Sequence, residues 1–198
     1  MSRILTLAVG VGLLAACGPL VQVGGGAAAP DSLLTIASTE TPPAVLSGDP
    51  VLIVLPDVPG KLRTTRVPVT TATNEIEYLG EASWIEQPNI LFQRLLADRF
   101  EAATGRPALD EKNIDIAPMA RLSGKLMEFG LDVRNGRQVL VRFDADLTRP
   151  DSGLVGSRRF EATAPVSISS GPAVARALQI AANDVAGRAV AWAAASAP

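Results

Sequence analysis

The chain has 198 residues, with 18 Lys and Arg against 20 Asp and Glu, one cysteine and no histidine. A slightly acidic balance excludes an electrostatic grip on nucleic acid or a polybasic membrane patch. The missing histidine excludes Ser-His and Cys-His catalysis and the usual zinc and copper ligand sets. A single cysteine excludes an internal disulfide.

The N-terminus reads as an export leader. Arg3 is a short positive region, and Ile4 to Leu14 is an uncharged apolar run. That run suits a signal peptide and is too short to span a bilayer. Leu14-Ala15-Ala16-Cys17 follows. Small residues precede a cleavage point, and a cysteine directly after them resembles the lipobox of bacterial lipoproteins. Cleavage before Cys17 makes that residue the new N-terminus and the site of lipid attachment. A free thiol is a liability in an oxidising compartment, and a thioether to lipid removes it. Acyl chains contribute roughly 0.8 kcal/mol per buried CH₂, and two or more anchor stably. Gly18 stands where Asp would resemble an inner-membrane retention signal, which points to the outer membrane, periplasmic side. Losing Arg3 takes the 18 positive residues to 17 against 20 negative.

Residues 1–16 are thus expected to be the signal, residues 17–30 a flexible tether, and residues 31–198 one domain. The tether is Gly- and Ala-rich and uncharged. Gly24-Gly25-Gly26 is not a phosphate loop, because no Lys-Ser/Thr follows it.

Within the domain, Ser32 to Ala37, Val51 to Leu55 and Glu75 to Leu79 are short apolar runs bounded by turn residues, predicted as strands. Lys61 to Thr73 is rich in Thr and Val but contains Pro68, which cannot donate to a ladder, so an edge strand or loop is expected. Pro88 begins a helix in which Leu91, Phe92, Leu95, Leu96, Phe100 and Ala103 form one face; Gly105 and Pro107 stop it. Trp84, just upstream, is assigned to the core over the helix start.

A three-strand meander follows. Met127, Phe129, Leu131 and Val133 are odd-numbered, as are Val139, Val141, Phe143, Ala145 and Leu147. A two-residue Asn135-Gly136 hairpin puts these sets on opposite faces. A three-residue loop, Arg134-Asn135-Gly136, pairs Leu131 with Val139 and Phe129 with Val141, with Gly136 left-handed. Leu122 and Leu126 are even-numbered, so a bulge is required between Lys125 and Met127. Pro150-Asp151-Ser152-Gly153 is a turn. The third strand shows Phe160, Ala162, Ala164 and Val166. A last helix runs from near Pro172 to about Ala194 on a stripe of Val174, Leu178, Ala181, Val185 and Trp192. The expected fold is an α+β two-layer sandwich, mainly antiparallel, with two helices on one face.

No catalytic constellation emerges. Asp144 and Asp146 share a strand face, as paired glycosidase carboxylates would, but alternation puts them on the solvated face opposite Val141 and Phe143. There Arg158-Arg159 can pair with them. Asp110-Glu111 reads as surface. No nucleophile elbow and no Walker A sequence occur. No cofactor or metal site is expected, and the chain reads as a non-enzyme.

The segment Asn74 to Trp84, followed by Pro88 and Ile90 to Leu96, resembles the signature of the ABC-type transport auxiliary lipoproteins (YmbA/PqiC-like). The pattern is a strand ending in Tyr78, a spacer, Trp84, Pro88 and an amphipathic helix. The lipobox, Val54-Leu55-Pro56 and the Ala-rich last helix fit it. The tyrosine of an early family strand is missing from Leu33-Leu34-Thr35-Ile36. The resemblance implies a periplasmic subunit of an MCE-associated lipid transporter, with an MCE-class substrate-binding protein and its ABC permease and ATPase as partners. It carries over no catalytic or ligand position. A lone lipid carrier with an apolar pocket is the alternative, and homo-oligomerisation stays open.

Overall fold

The computed structural model describes residues 32–112 and 116–196. In chain order these form β1 (Val51–Ile53), a 3-10 turn (Gly60–Leu62), β2 (Arg66–Ala72), β3 (Glu75–Ser83), α1 (Pro88–Thr104), β4 (Ala108–Leu109), β5 (Ala120–Asp132), β6 (Gln138–Arg149), β7 (Gly153–Pro165) and α2 (Gly171–Ser196). The seven strands make one mixed sheet with α1 and α2 packed against it. The fold is α+β, as expected.

Strand β5 is the spine. One side pairs antiparallel with β6, which pairs antiparallel with β7. The other side pairs parallel with β1 at Ala120 to Leu122 and parallel with β2 at Leu131 and Asp132. The long ladders are antiparallel, and the short parallel joins carry β1, β2 and β4.

The parity argument holds. Leu131 lies opposite Val139 and Phe129 opposite Val141, and Gly136 has φ +106°. The β5–β6 register shifts between Leu126 and Glu128, so the bulge falls inside the expected window. Phe129, Leu131, Val139, Val141 and Phe143 all turn inward and are buried. Met127 does not join them. It is the extra residue of the bulge and is half-exposed.

Two other expectations fail. Ser32 to Ala37 is not a strand; it makes a single parallel bridge from Leu34 to Trp84. Alternation survives, with Leu34 and Ile36 buried. And β2 is neither edge nor loop, because β3 flanks one side of it and β5 the other. Pro68 is accommodated by a register shift beside it and by Gly130. A Cβ on Gly130 would lie 2.5 Å from the Pro68 carbonyl oxygen.

Helix α1 has Pro88 in its first turn, and Gly105 closes it at φ +68°, its N–H donating to the Glu101 carbonyl. The stripe packs inward: Phe92 meets Phe143 edge-on at 5.2 Å. Helix α2 begins at Gly171 and buries Val174, Leu178, Ala181, Val185 and the small residues between. Trp192 is only partly buried and lies 5.9 Å from Phe160.

Gly124 lies close against the β6 backbone. It has φ +151°, and a Cβ there would lie 2.1 Å from the Asp144 carbonyl oxygen. Gly124→Ala is expected to destabilise by ~3 kcal/mol. Gly80→Ala, where nothing lies within 4 Å, should change stability by less than ~0.5 kcal/mol. Urea unfolding of the pair checks both values.

Candidate functional site

The signature residues meet at the junction of β3 and α1. Trp84 is buried at 1% exposure, and its ring stands edge-on to Phe129 at 5.5 Å. The Trp84 backbone N–H donates to the Thr65 carbonyl at 2.7 Å. Its indole N–H finds no acceptor among the described residues, so the ring acts by packing. Tyr78 donates to the Lys61 carbonyl at 3.4 Å, and the Arg66 guanidinium lies 4.3 Å over its ring. Asn89 donates to the Pro56 carbonyl at 3.3 Å, tying α1 to the loop after β1. These positions are structural, as the sequence suggests.

The paired carboxylates lie where alternation puts them. Asp144 accepts two bonds from Arg159, at 2.6 and 2.8 Å, and Asp146 accepts from Ser157. Beside them Arg142 pairs with Glu161 at 2.5 Å and Lys61 with Glu128 at 2.5 Å. Hydrogen bonding from Arg159 holds the Asp144 carboxyl below the usual carboxylate range. A glycosidase general acid needs a raised carboxyl, and Asp144 is pushed the other way. Arg158 does not join the ladder; it lies 5.4 Å from the Phe160 ring. Hydrogen bonding from Arg134 likewise holds Asp132 low. Burial raises Asp98, the Arg94 charge opposing it, but Asp98 faces no nucleophile that the sequence supplies.

Two clefts flank β4. One, of about 290 Å³, is lined by Ile53, Ile90, Gln93, Ala97, Leu109 and Lys112. The other, of about 260 Å³, is lined by Leu52, Glu111, Ile116, Pro118 and Arg121 among others. Both mix polar and apolar walls. Asp110 reaches both clefts. Glu111 is exposed, as read, and there accepts from the Leu55 N–H at 2.6 Å and from Gln93 at 3.0 Å. Among the described residues no group of three His, Cys, Asp or Glu side chains could hold a metal. No described helix is long and apolar enough to cross a membrane. Cys17 lies outside the described residues.

The sequence reading missed a polar clamp. The segment entering the domain crosses both helices and is sewn down by α2. The Ala37 N–H donates to Gln179 Oε1 at 3.0 Å, and Gln179 donates back to the Ala37 carbonyl at 2.6 Å. Asn183, 7% exposed, donates to the same carbonyl at 2.9 Å and accepts from the Thr39 N–H at 3.0 Å. From α1, Arg99 reaches Glu40 at 2.7 Å. Gly187 makes room, since a Cβ there would lie 2.5 Å from the Arg99 guanidinium. The available signal was Gln179 and Asn183, four apart beside an alanine stripe.

The chain matches the family described as ABC-type transport auxiliary lipoprotein component over residues 32–190. No curated protein matches. The fold is shared with a Xanthomonas campestris protein of the DUF330 family. The two are 19% identical, with 83% of this chain and 95% of that chain covered and a TM-score of 0.70. An uncharacterised protein aligns at 14% identity over 81% of this chain and 98% of its own, with a TM-score of 0.58. The PelC dodecamer from Paraburkholderia phytofirmans aligns at 15% identity over 75% and 92%, with a TM-score of 0.45. That likeness is too low to carry its assembly across.

Two outcomes follow. Asn183→Ala strands the Thr39 N–H, so a loss of ~1–3 kcal/mol is expected, with faster proteolysis around Ala37 to Glu40; denaturant titration and limited digestion read these. Asp144 is lowered in the fold, so its contribution is present above the ordinary carboxylate pKa of ~3.9 and is lost as pH falls through the depressed value. Asp144 is about a third exposed, so Asp144→Asn should cost at most ~1 kcal/mol near neutrality. The gap to the parent should close in acid.

Proposed function

The chain belongs to the ABC-type transport auxiliary lipoprotein component family, and we propose that it serves such a transporter by contact, as a lipid-anchored periplasmic subunit without catalysis of its own. The transporter we infer is an MCE-associated system that moves lipid between the inner and outer membranes. In this reading the partners are the MCE-class substrate-binding protein with its ABC permease and ATPase. The anchor is lipid on Cys17, and the membrane is the outer one, on its periplasmic side.

The observation that carries the reading is a family match running from residue 32 to residue 190 on a chain with no nucleotide loop and no histidine. Energy for transport then comes from a partner. The outer face fits the same view. Its charges are matched with one another as stabilising ion pairs rather than set at different pKa values for acid–base work.

Docking is favoured over the lone-carrier alternative by the interior. Trp84, Phe92, Phe100, Phe129 and Phe143 are each buried to 1% exposure or less and fill the space between sheet and helices. The clefts beside β4 are open and partly polar, unlike an acyl-chain cavity.

The test joins anchor and partner. Cys17→Ser should lose labelling by a fatty-acid analogue and leave the membrane fraction. In-cell crosslinking of the parent chain should recover the MCE subunit, and deletion should weaken the lipid barrier. Continued labelling of Cys17→Ser sinks the anchor. An intact barrier together with no recovered transporter subunit sinks the role.

A further inference from the structure

The chain enters the domain through a corner that exposes apolar side chains. Leu34 bridges to Trp84 in parallel: its N–H donates to the Ser83 carbonyl at 2.8 Å, and its carbonyl accepts from the Ile85 N–H at 2.9 Å. Leu34 and Trp84 both turn into the core. Neighbours along an extended chain point to opposite sides, and Leu33 and Ile85 accordingly turn outward, at 53% and 55% exposure. The start of α2 meets the same point. A Cβ on Gly171 would lie 3.0 Å from the Ala82 Cβ and 3.9 Å from Leu34 Cδ1. Ile168, just before that start, is 59% exposed. Three large apolar side chains thus stand exposed around the place where the chain comes in.

Single exposed apolar residues are ordinary. These three are set apart by what the chain leads to. Residues 17–31 separate Ser32 from Cys17, and a segment of that length spans at most about 50 Å. With lipid on Cys17, the entry corner is the part of the domain held nearest the bilayer. The charge beside it is compensated, since Glu86, next to Ile85, pairs with Arg94. The far end of the domain is well removed. From Gly171 to Trp192, α2 rises about 32 Å, and Trp192 lies 3.5 Å from where a Cβ of Gly156 would be. Leu154 belongs to that far end.

We propose that Leu33, Ile85 and Ile168 form a membrane-contact corner: they enter the interfacial layer of the bilayer that holds the lipid of Cys17, and so set which end of the domain faces the membrane. The proposal rests on the reading of Cys17 as the lipid anchor. Three side chains bury too little area to recruit a free domain. Anchoring makes the contact intramolecular, so effective concentration replaces affinity. The corner therefore orients a domain that is already tethered.

The test uses the full lipidated chain in protein-free vesicles of phosphatidylethanolamine and phosphatidylglycerol. Thr35→Cys, exposed and two residues from Leu33, carries a fluorophore close to the corner, and Leu154→Cys carries the same fluorophore at the far end. Nitroxide-bearing lipid should quench the Thr35→Cys reporter at least about threefold more strongly than the Leu154→Cys reporter, because partial burial of Leu and Ile side chains favours the corner-down orientation. Adding Leu33→Ser and Ile85→Ser to Thr35→Cys should bring its quenching down to the Leu154→Cys level, and both positions are exposed, so the fold is kept. Equal quenching of the two reporters in lipidated chain overturns the proposal and leaves the anchor standing. So does quenching at Thr35→Cys that survives the two serines. The parent chain should take no fluorophore, its single thiol being in thioether linkage. Labelling of the parent would overturn the anchor and this proposal with it.

Discussion

The fold depends on a constraint in one strand. β5 must serve β6 along one whole side while serving two different partners, β1 and β2, along the other. A straight strand of thirteen residues could not keep a buried face toward the helices across that change. Leu122 and Leu126 are even-numbered, and Phe129 and Leu131 are odd-numbered, yet all four are buried. The bulge at Met127 reconciles them, and two glycines permit the path. Gly124 lies where any Cβ would strike the β6 backbone, and Gly130 lies where one would strike β2. The missing side chains at these two points let β6 and β2 approach β5 closely, under a core in which Phe92 meets Phe143 and Trp84 meets Phe129.

A second constraint ties the entering chain to this core. Buried polar groups are tolerated when paired, and Asn183 is surrounded by alanines because its partners are backbone groups of the entering segment. Arg99 extends the clamp from α1, over the space that Gly187 leaves. The segment is held at Leu34 by backbone bonds with Ser83 and Ile85 at the end of β3, and after it by hydrogen bonds to both helices.

These two constraints explain what could be read in advance. Parity is a local property with period two. It was enough to set the β5–β6 register, to require a bulge and to keep Asp144 and Asp146 off the core face. The ends of α1 were legible because Pro88 and Gly105 act within one turn. The position of β2 was not legible. Pro68 argued for an edge on local grounds, but the neighbour that encloses β2 is β5, about sixty residues away in sequence. The relief for that proline is the missing side chain of Gly130, which no local pattern links to it. The clamp was hidden for a similar reason. Apolar residues predicted Ser32 to Ala37 as a strand, and the alternation was right, but the bonds that hold its end come from amides on the last helix.

Location of charge then separates the surfaces. On the outer face of β6 and β7 the charges are consumed: Arg142 by Glu161, Asp144 by Arg159, Asp146 by Ser157. An incoming partner would have to break these pairs, and their desolvation opposes tight binding there. The margins of the sheet differ from this face in character. The acidic, irregular edge of β3 carries Glu77 and Glu81, with Glu81 at φ +54° breaking the ladder. The rim of β4 has clefts with mixed walls. The N-terminal half of β7 has an edge that pairs with no strand among the described residues, and it carries the exposed side chains of Leu154 and Val155. The charges matched in the middle of the sheet thus leave its margins as the surfaces that cost least to cover.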